Sequence, residues 1–295
     1  MYRRLTDTFR KIGVDYEIIF VNDGSPDNTE KVLADLVNQD GHVIAVNHSR
    51  NFSSQMAFTS GMDIATGDAI VLLDGDLQDP PEIIGKFYEK WNEGFDIVYG
   101  IRVKREVPLI MEVAYRLFYR IFHKMSYVKV PVDAGDFSLM DRKVVDHLKQ
   151  FPERDRFLRG LRAWVGFSQT GIPYIRPERM FGRSTNNFLK LFNWAAKGIL
   201  SFSYVPLELM AMLSIFTFFT ALLGIIVQII LRLLSPGAPQ GFTTVIVLVL
   251  FMGSIQLLCM SVLGQYIGKI FEEVKQRPKY IVKSIFRKDP GKYPH

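Results

Sequence analysis

Asp68-Ala69-Ile70-Val71-Leu72-Leu73-Asp74-Gly75-Asp76-Leu77-Gln78-Asp79-Pro80-Pro81-Glu82 is the stretch that decides how this chain is read. The apolar run 69–73 predicts a short buried strand that delivers Asp74 and Asp76 at its carboxyl end. Open α/β sheets bind ligands beyond the carboxyl ends of their strands. Two carboxylates flanking Gly75 can grip one hard divalent cation, which prefers oxygen ligands and bridges readily to a diphosphate. Pro80-Pro81 cannot continue the strand and starts a new element. A solvated Asp-Gly-Asp turn is the alternative, and the sequence upstream weighs against it.

Glu17-Ile18-Ile19-Phe20-Val21-Asn22-Asp23 predicts a second apolar strand, followed by Gly24-Ser25-Pro26-Asp27-Asn28-Thr29. Gly24 permits a tight turn, and Asn28 or Thr29 can cap a helix over 30–37. A third unit runs from a strand at 43–46 through Asn47-His48-Ser49-Arg50-Asn51-Phe52 to a helix at 54–65. Repeated strand–helix units with polar strand tips predict an α/β domain, its sheet mostly parallel with helices on both faces. The chain has neither a Gly-x-Gly-x-x-Gly signature nor a Gly-Lys-Ser/Thr phosphate loop. Phosphates would therefore be held by a metal and by basic side chains.

Asn22-Asp23-Gly24-Ser25, Arg50-Asn51-Phe52, the run 57–61, the run 74–82 and Gly135-Asp136-Phe137 together resemble family 2 glycosyltransferases of the GT-A fold. The likeness is greatest to the polyprenyl-phosphate sugar transferases, the group of the dolichol-phosphate mannose synthases and bactoprenol glucosyltransferases, and it covers nearly the whole chain. The resemblance implies that Asp74, Asp76 and Gln78 form a site for Mg²⁺ or Mn²⁺. It implies that Asp23 contacts the nucleoside of a nucleotide-diphospho-sugar, with Asn22, Ser25, Arg50 and Asp74 completing the donor site. It also implies an acceptor, a polyprenyl phosphate, near Asp136.

The lower half of the chain fits that expectation. Residues 209–231 and 242–267 carry no formal charge. At about 1.5 Å rise per residue, each run exceeds a hydrocarbon core of roughly 30 Å. Two membrane helices are expected, about 207–233 and 242–267, within a hairpin spanning 205–268. A basic tail, 269–295, includes Lys275, Arg277, Lys279, Lys283, Arg287 and Lys288. Basic flanks stay cytoplasmic, so the expectation is a multi-pass inner-membrane protein with its catalytic domain, 1–185, on the cytoplasmic side. Residues 1–30 do not read as a secretory signal, and the expectation is that the domain stays inside. Cys259 is the one cysteine and permits no intrachain disulfide. The net charge of +6 does not indicate nucleic acid, because the cations interleave with membrane-seeking sequence. Two amphipathic segments, about 108–124 and 186–204, predict helices lying in the bilayer interface, with ordinary core helices as the alternative. A homo-oligomer is compatible with this plan.

Two further segments carry chemistry. Asp136 falls inside a predicted strand over 132–140, and a buried acid is costly unless it is paired or faces a polar cleft. The acceptor implied by the resemblance is a phosphate monoester with a second pKa of about 6, already mostly a dianion at neutral pH. It needs aiming more than deprotonating, so Asp136 reads as an orienting group, with a structural role as the alternative. Arg176-Pro177-Glu178-Arg179-Met180-Phe181-Gly182-Arg183-Ser184-Thr185 is a cationic loop, and the planar fork of arginine suits phosphate. The resemblance implies that Arg179, Arg183 and Ser184 meet the lipid phosphate, with Arg179 and Arg183 also catalytic beside Asp76 and Asp136. A solvated basic loop is the alternative there.

One feature departs from the family. Its members begin with a strand ending in a Pro-x-Tyr-Asn-Glu-like motif that is central in the sheet. Here Met1-Tyr2-Arg3-Arg4-Leu5 starts in what should be the next helix, and no residue matches that motif; the expectation is that the true start lies upstream, with a crippled chain as the alternative. Two other functions compete. A processive polysaccharide synthase usually carries Gln-x-x-Arg-Trp, which Arg159-Gly160-Leu161-Arg162-Ala163-Trp164 does not supply. A non-catalytic, membrane-anchored relative is opposed by the retention of Asp23, Asp74, Asp76 and Asp136.

Overall fold

The structure is a computed structural model, and it describes residues 1–103, 131, 134–175, 203–234 and 241–288. The elements are α1 (Tyr2–Ile12), β1 (Ile18–Asn22), α2 (Thr29–Gln39), β2 (Val43–His48), α3 (Ser54–Ile64), β3 (Ala69–Leu72), a 3₁₀ turn (Pro81–Ile83), α4 (Ile84–Asn92), β4 (Ile97–Arg102), β5 (Ala134–Asp141), α5 (Arg142–Gln150), α6 (Leu158–Trp164), β6 (Gln169–Tyr174), α7 (Val205–Leu234), α8 (Phe242–Val274) and β7 (Val282–Phe286). The strands and helices read from residues 17–73 are all present, with ends moved by one or two residues. At the start of α2, Asp27 rather than the expected Asn28 or Thr29 takes the free backbone donor, its Oδ1 accepting from the Thr29 N–H at 3.0 Å.

Alternation along the strands builds three layers, because successive residues of a strand point to opposite faces. Ile70, Leu72, Ile97 and Met140 face Met62 of α3, Val144, Val145 and Leu148 of α5, and Leu158 and Leu161 of α6. Val98, Phe137, Leu139 and Ile172 face Leu5 of α1 and Ile84 and Phe87 of α4. Helices thus cover both faces, as the strand–helix pattern requires.

The strands form two hydrogen-bonded sheets, each mixed, which corrects the expectation of one mostly parallel sheet. β1–β2 and β4–β6 are parallel, whereas β3–β5, β4–β5 and β2–β7 are antiparallel. The antiparallel pairings arise because β5 and β7 come from segments outside the repeated strand–helix units. The orders are β1-β2-β7 and β3-β5-β4-β6, so β1 and β3 are both edge strands. Glu17, next to β1, accepts from the Thr66 and Gly67 N–H groups just ahead of β3, at 2.6 and 3.2 Å. The two strands therefore start together, and both line one cavity of about 830 Å³ whose walls include Leu5, Phe9, Ile84 and Trp91.

α7 and α8 are long and apolar enough to cross a membrane, and none of their apolar windows is buried against the rest of the protein. That exposure separates them from the core helices of a soluble domain. α8 continues seven residues past the expected end of the span, so a boundary at 268/269 falls inside a helix. Its end is tied to the α/β domain, where Glu273 Oε1 accepts from the Arg154 N–H at 2.7 Å. The stretch read as a basic tail then returns, and β7 joins the sheet beside β2. The segments at 108–124 and 186–202 lie outside the described residues.

Candidate active site

β1 ends at Asn22, a buried amide whose Oδ1 accepts from the Ser25 N–H at 3.0 Å and whose Nδ2 donates to Asn47 Oδ1 at 3.0 Å. Asp23 follows at the strand tip. Its Oδ1 accepts from the Phe52 N–H at 2.8 Å and meets His48 Nδ1 at 2.8 Å. Its Oδ2 is buried and accepts no hydrogen bond among the described residues. Gly24 has a φ of 71°, and a Cβ there would lie 2.5 Å from the Arg50 carbonyl carbon. Only glycine lets the two strand-tip loops approach so closely. Arg50 is exposed, with its guanidinium 4.1 Å from the centre of the Phe52 ring. The loop of Asn22, Asp23 and Ser25 therefore meets the backbone of Arg50 where the two strand-tip loops touch.

Asp74 and Gly75, at the end of β3, line the same cavity as Asp23 and Ser25. The loop then reverses at Leu77, whose φ of 62° is a left-handed conformation that side chains other than glycine seldom adopt. The reversal lets Asp76 Oδ1 accept from the Gln78 N–H at 3.1 Å. Asp79, not singled out in the sequence, anchors the far side. It is fully buried, accepts from the Tyr174 hydroxyl, and lies 3.9 Å from the Arg102 guanidinium. Burial, then the bond to Asp79, pushes the Tyr174 phenol up to about 12.

Asp74, Asp76 and Gln78 are all partly buried oxygen donors held on this loop, and an all-oxygen set suits Mg²⁺ or Mn²⁺. Among the described residues no group of three or more His, Cys, Asp or Glu side chains could hold a metal ion. A cation here would need oxygens from a bound diphosphate or water as well, which fits a site that assembles with its substrate.

Asp136 lies on β5. Pairing of Leu72 with Ser138 puts it at the same end of the sheet as Asp74. Its carboxylate is gripped by the Arg159 fork, Nε to Oδ1 at 3.0 Å and Nη2 to Oδ2 at 2.9 Å. Behind it, Arg162 is buried, donates to the Gly135 carbonyl at 3.2 Å and lies over the Tyr99 ring. Burial alone would raise the Asp136 carboxyl, but the charge and hydrogen bonds of Arg159, with Arg162 and Gln55, outweigh it and hold the group below its ordinary value. Burial pulls the Arg162 guanidinium down to about 10, still charged at neutral pH.

Sequence reasoning missed Arg159 and Arg162, although it inspected their segment for a different motif. The available signal was their three-residue spacing, which puts both on one face of a helix. It also missed the contact of His48 with Asp23, which no local pattern announces. Arg179, Arg183 and Ser184 lie outside the described residues.

Comparison with known proteins gives a consistent result. Residues 2–149 match the model of Glycosyl transferase family 2. The chain is 41% identical over 293 residues to a glycosyltransferase of Synechocystis sp., covering 97% of this chain and 90% of that protein. It is 40% identical over 286 residues to the glycosyltransferase YkcC of Bacillus subtilis, covering 97% of this chain and 88% of that one. It is also 39% identical over 277 residues to the SfII prophage-derived bactoprenol glucosyl transferase of Shigella flexneri, covering 94% and 90% respectively.

Proposed function

The chain belongs to glycosyl transferase family 2 and has its GT-A fold, and from that premise we propose that it moves one hexose from a nucleotide-diphospho-sugar to a polyprenyl phosphate at the cytoplasmic face of a membrane. UDP-glucose is the favoured donor, and an undecaprenyl-type phosphate the favoured acceptor. The observation that carries this reading is the meeting of Asp23 and Asp74 on one cavity wall, in a domain tied to two exposed apolar helices. The names of relatives such as the Shigella flexneri enzyme supply the acceptor and sugar class.

In this reading Asn22, Asp23, Ser25 and Arg50 hold the nucleotide, with Asp23 contacting the nucleoside. Asp74, Asp76 and Gln78 would hold Mg²⁺ or Mn²⁺, which when bound neutralises charge on the departing diphosphate. Arg179, Arg183 and Ser184 would receive the acceptor phosphate. Asp136 does not act as a strong base. Its pairing with Arg159 favours a fixed carboxylate that orients the acceptor, whose phosphate oxygen attacks the anomeric carbon from the face opposite the leaving group and inverts it.

The test is transfer from radiolabelled UDP-glucose, UDP-galactose and GDP-mannose, using membranes containing the chain and either undecaprenyl or dolichyl phosphate. Label should enter a single-sugar lipid. Polymeric product would favour a processive synthase, and no transfer from any donor would favour a non-catalytic relative.

A further inference from the structure

β7, which follows the two apolar helices in the chain, returns to the site just described by pairing with β2. We propose that this returning strand sets the geometry of the donor site, with His48, Tyr280, Asn47 and Ser284 as its positioning residues. The proposal rests on the reading of Asp23 and Asn22 as donor contacts.

Two separate relays connect β7 and the residue just ahead of it, Tyr280, to those residues. In the first, Tyr280 stacks on the His48 ring at 5.2 Å between centroids and 14° between planes. The His48 side chain is wholly buried, and both of its nitrogens are engaged, Nδ1 with Asp23 at 2.8 Å and Nε2 with the Ser60 hydroxyl at 2.9 Å. With Nδ1–H donating to Asp23 Oδ1, Nε2 accepts from Ser60, so the neutral ring satisfies both contacts. The Tyr280 hydroxyl donates to Asp63 Oδ2 at 2.7 Å, on the same helix as Ser60. The ring is thereby clamped between α3 and the returning chain.

In the second relay, Asn47 Nδ2 donates to the Ser284 hydroxyl at 3.1 Å, and Asn47 Oδ1 accepts from Asn22 Nδ2 at 3.0 Å. Asn22 Oδ1 then holds the Ser25 N–H of the donor loop. The two relays enter the site at different atoms, one at Asp23 Oδ1 and the other at the Asn22 amide.

The strand pairing is shaped for this task. Asn47 pairs with Ser284 and His48 with Val282, so the β2–β7 register shifts between Asn47 and His48. Irregularities of this kind re-aim side chains and occur beside active sites. His48 and Phe52 both engage Asp23 Oδ1 and so fix the carboxylate, whose buried Oδ2 accepts no hydrogen bond among the described residues. The end of the membrane anchor is thus built into the nucleotide pocket.

The experiment uses the full chain in detergent, with Mg²⁺ and whichever of UDP and GDP binds more tightly as the probe. Binding by calorimetry, thermal melting, and separate KM values for donor and lipid acceptor are measured for D23N, H48L, Y280A, Y280F, S284A and the double variant D23N/H48L. H48L should weaken nucleotide binding about tenfold or more, the usual effect of losing a hydrogen bond to a charged group. Y280A should weaken it about fivefold, through loss of ring stacking. Y280F, which keeps the ring, should recover most of that loss, and S284A should weaken binding by about threefold. The acceptor KM should stay within about twofold throughout. D23N/H48L should bind no more weakly than D23N, because His48 acts through Asp23. If D23N weakens binding while H48L, Y280A and S284A all bind as wild type, the relays do not set the site. Additive losses in the double variant overturn the His48 relay as well. If D23N itself binds as wild type, the donor reading fails first and the proposal falls with it.

Discussion

At the scale of single residues, the site joins acids with different tasks. Asp74 and Asp76 sit on a loop that a left-handed residue folds back, and Asp76 already accepts a backbone hydrogen bond. Asp74→Asn or Asp76→Asn should therefore abolish transfer without lowering the melting temperature by more than a few degrees, and excess chelator should mimic both. Full turnover in chelator would remove the metal from the mechanism. Asp136 differs because Arg159 holds its carboxyl below the ordinary value of about 3.9. The sign follows: its ion pair contributes stability above the unfolded-state pKa, lost as pH falls through the lower folded value. Asp136 thus stays ionised across the neutral range, and its titration cannot shape activity there. An acidic limb should follow the acceptor phosphate, with an apparent pKa near 6. The check is a pH profile of kcat/KM for the lipid acceptor in wild type and Asp136→Asn. The limb should persist in the variant's residual activity, and its disappearance would make Asp136 a base.

At the scale of elements, what the sequence disclosed depended on distance along the chain. The strands before Asp23 and Asp74 were legible because each is a local apolar run ending in turn-forming residues. The antiparallel placement of β5 was not legible, since pairing partners leave no mark in local periodicity. β7 was hidden more thoroughly, because its cations read as a membrane flank while Val282, Ser284 and Phe286 supply the strand. The partner of Asp136 lay 23 residues away on α6, and that of Asp23 lay 25 residues away on β2. Gly24 shows where local reading sufficed and geometry added to it. The turn was expected, but the contact with Arg50 and Asn51 makes the substitution more costly than turn chemistry alone implies. Gly24→Ala should force the two loops apart, raising the donor KM at least about tenfold. A left-handed residue with a Cβ costs roughly 1–2 kcal/mol before any clash, so the melting temperature should fall too. Unchanged donor kinetics would mean that the two loops do not share a ligand.

At the scale of the whole molecule, the apolar hairpin is joined to the α/β domain by more than chain continuity. Glu273 near the end of α8 binds the backbone of Arg154, and β7 then closes onto β2. Attachment that rests on α7 and α8 should survive high salt and carbonate, and recovery of the intact chain in the soluble fraction would contradict that attachment. The other whole-molecule feature is the slot between β1 and β3. Each strand presents an outer edge to a cavity of about 830 Å³, and its apolar lining includes Ile18, Ile70 and Leu72. Open edges carry unpaired backbone donors and acceptors, and an unmet buried group costs about 1–3 kcal/mol. A few such groups rival the stability of a typical domain, about 5–15 kcal/mol. A strand laid into the slot would pair with both edges, cover the apolar walls and bring new side chains to the level of Asp23 and Asp74. Placing a segment of about twenty residues, with a strand-forming apolar run, ahead of Met1 should therefore raise the melting temperature by at least several degrees. It should also slow amide exchange along both β1 and β3 and strengthen nucleotide binding. Equal melting, equal exchange and equal affinity in the two lengths would show that the sheet is already complete without that strand.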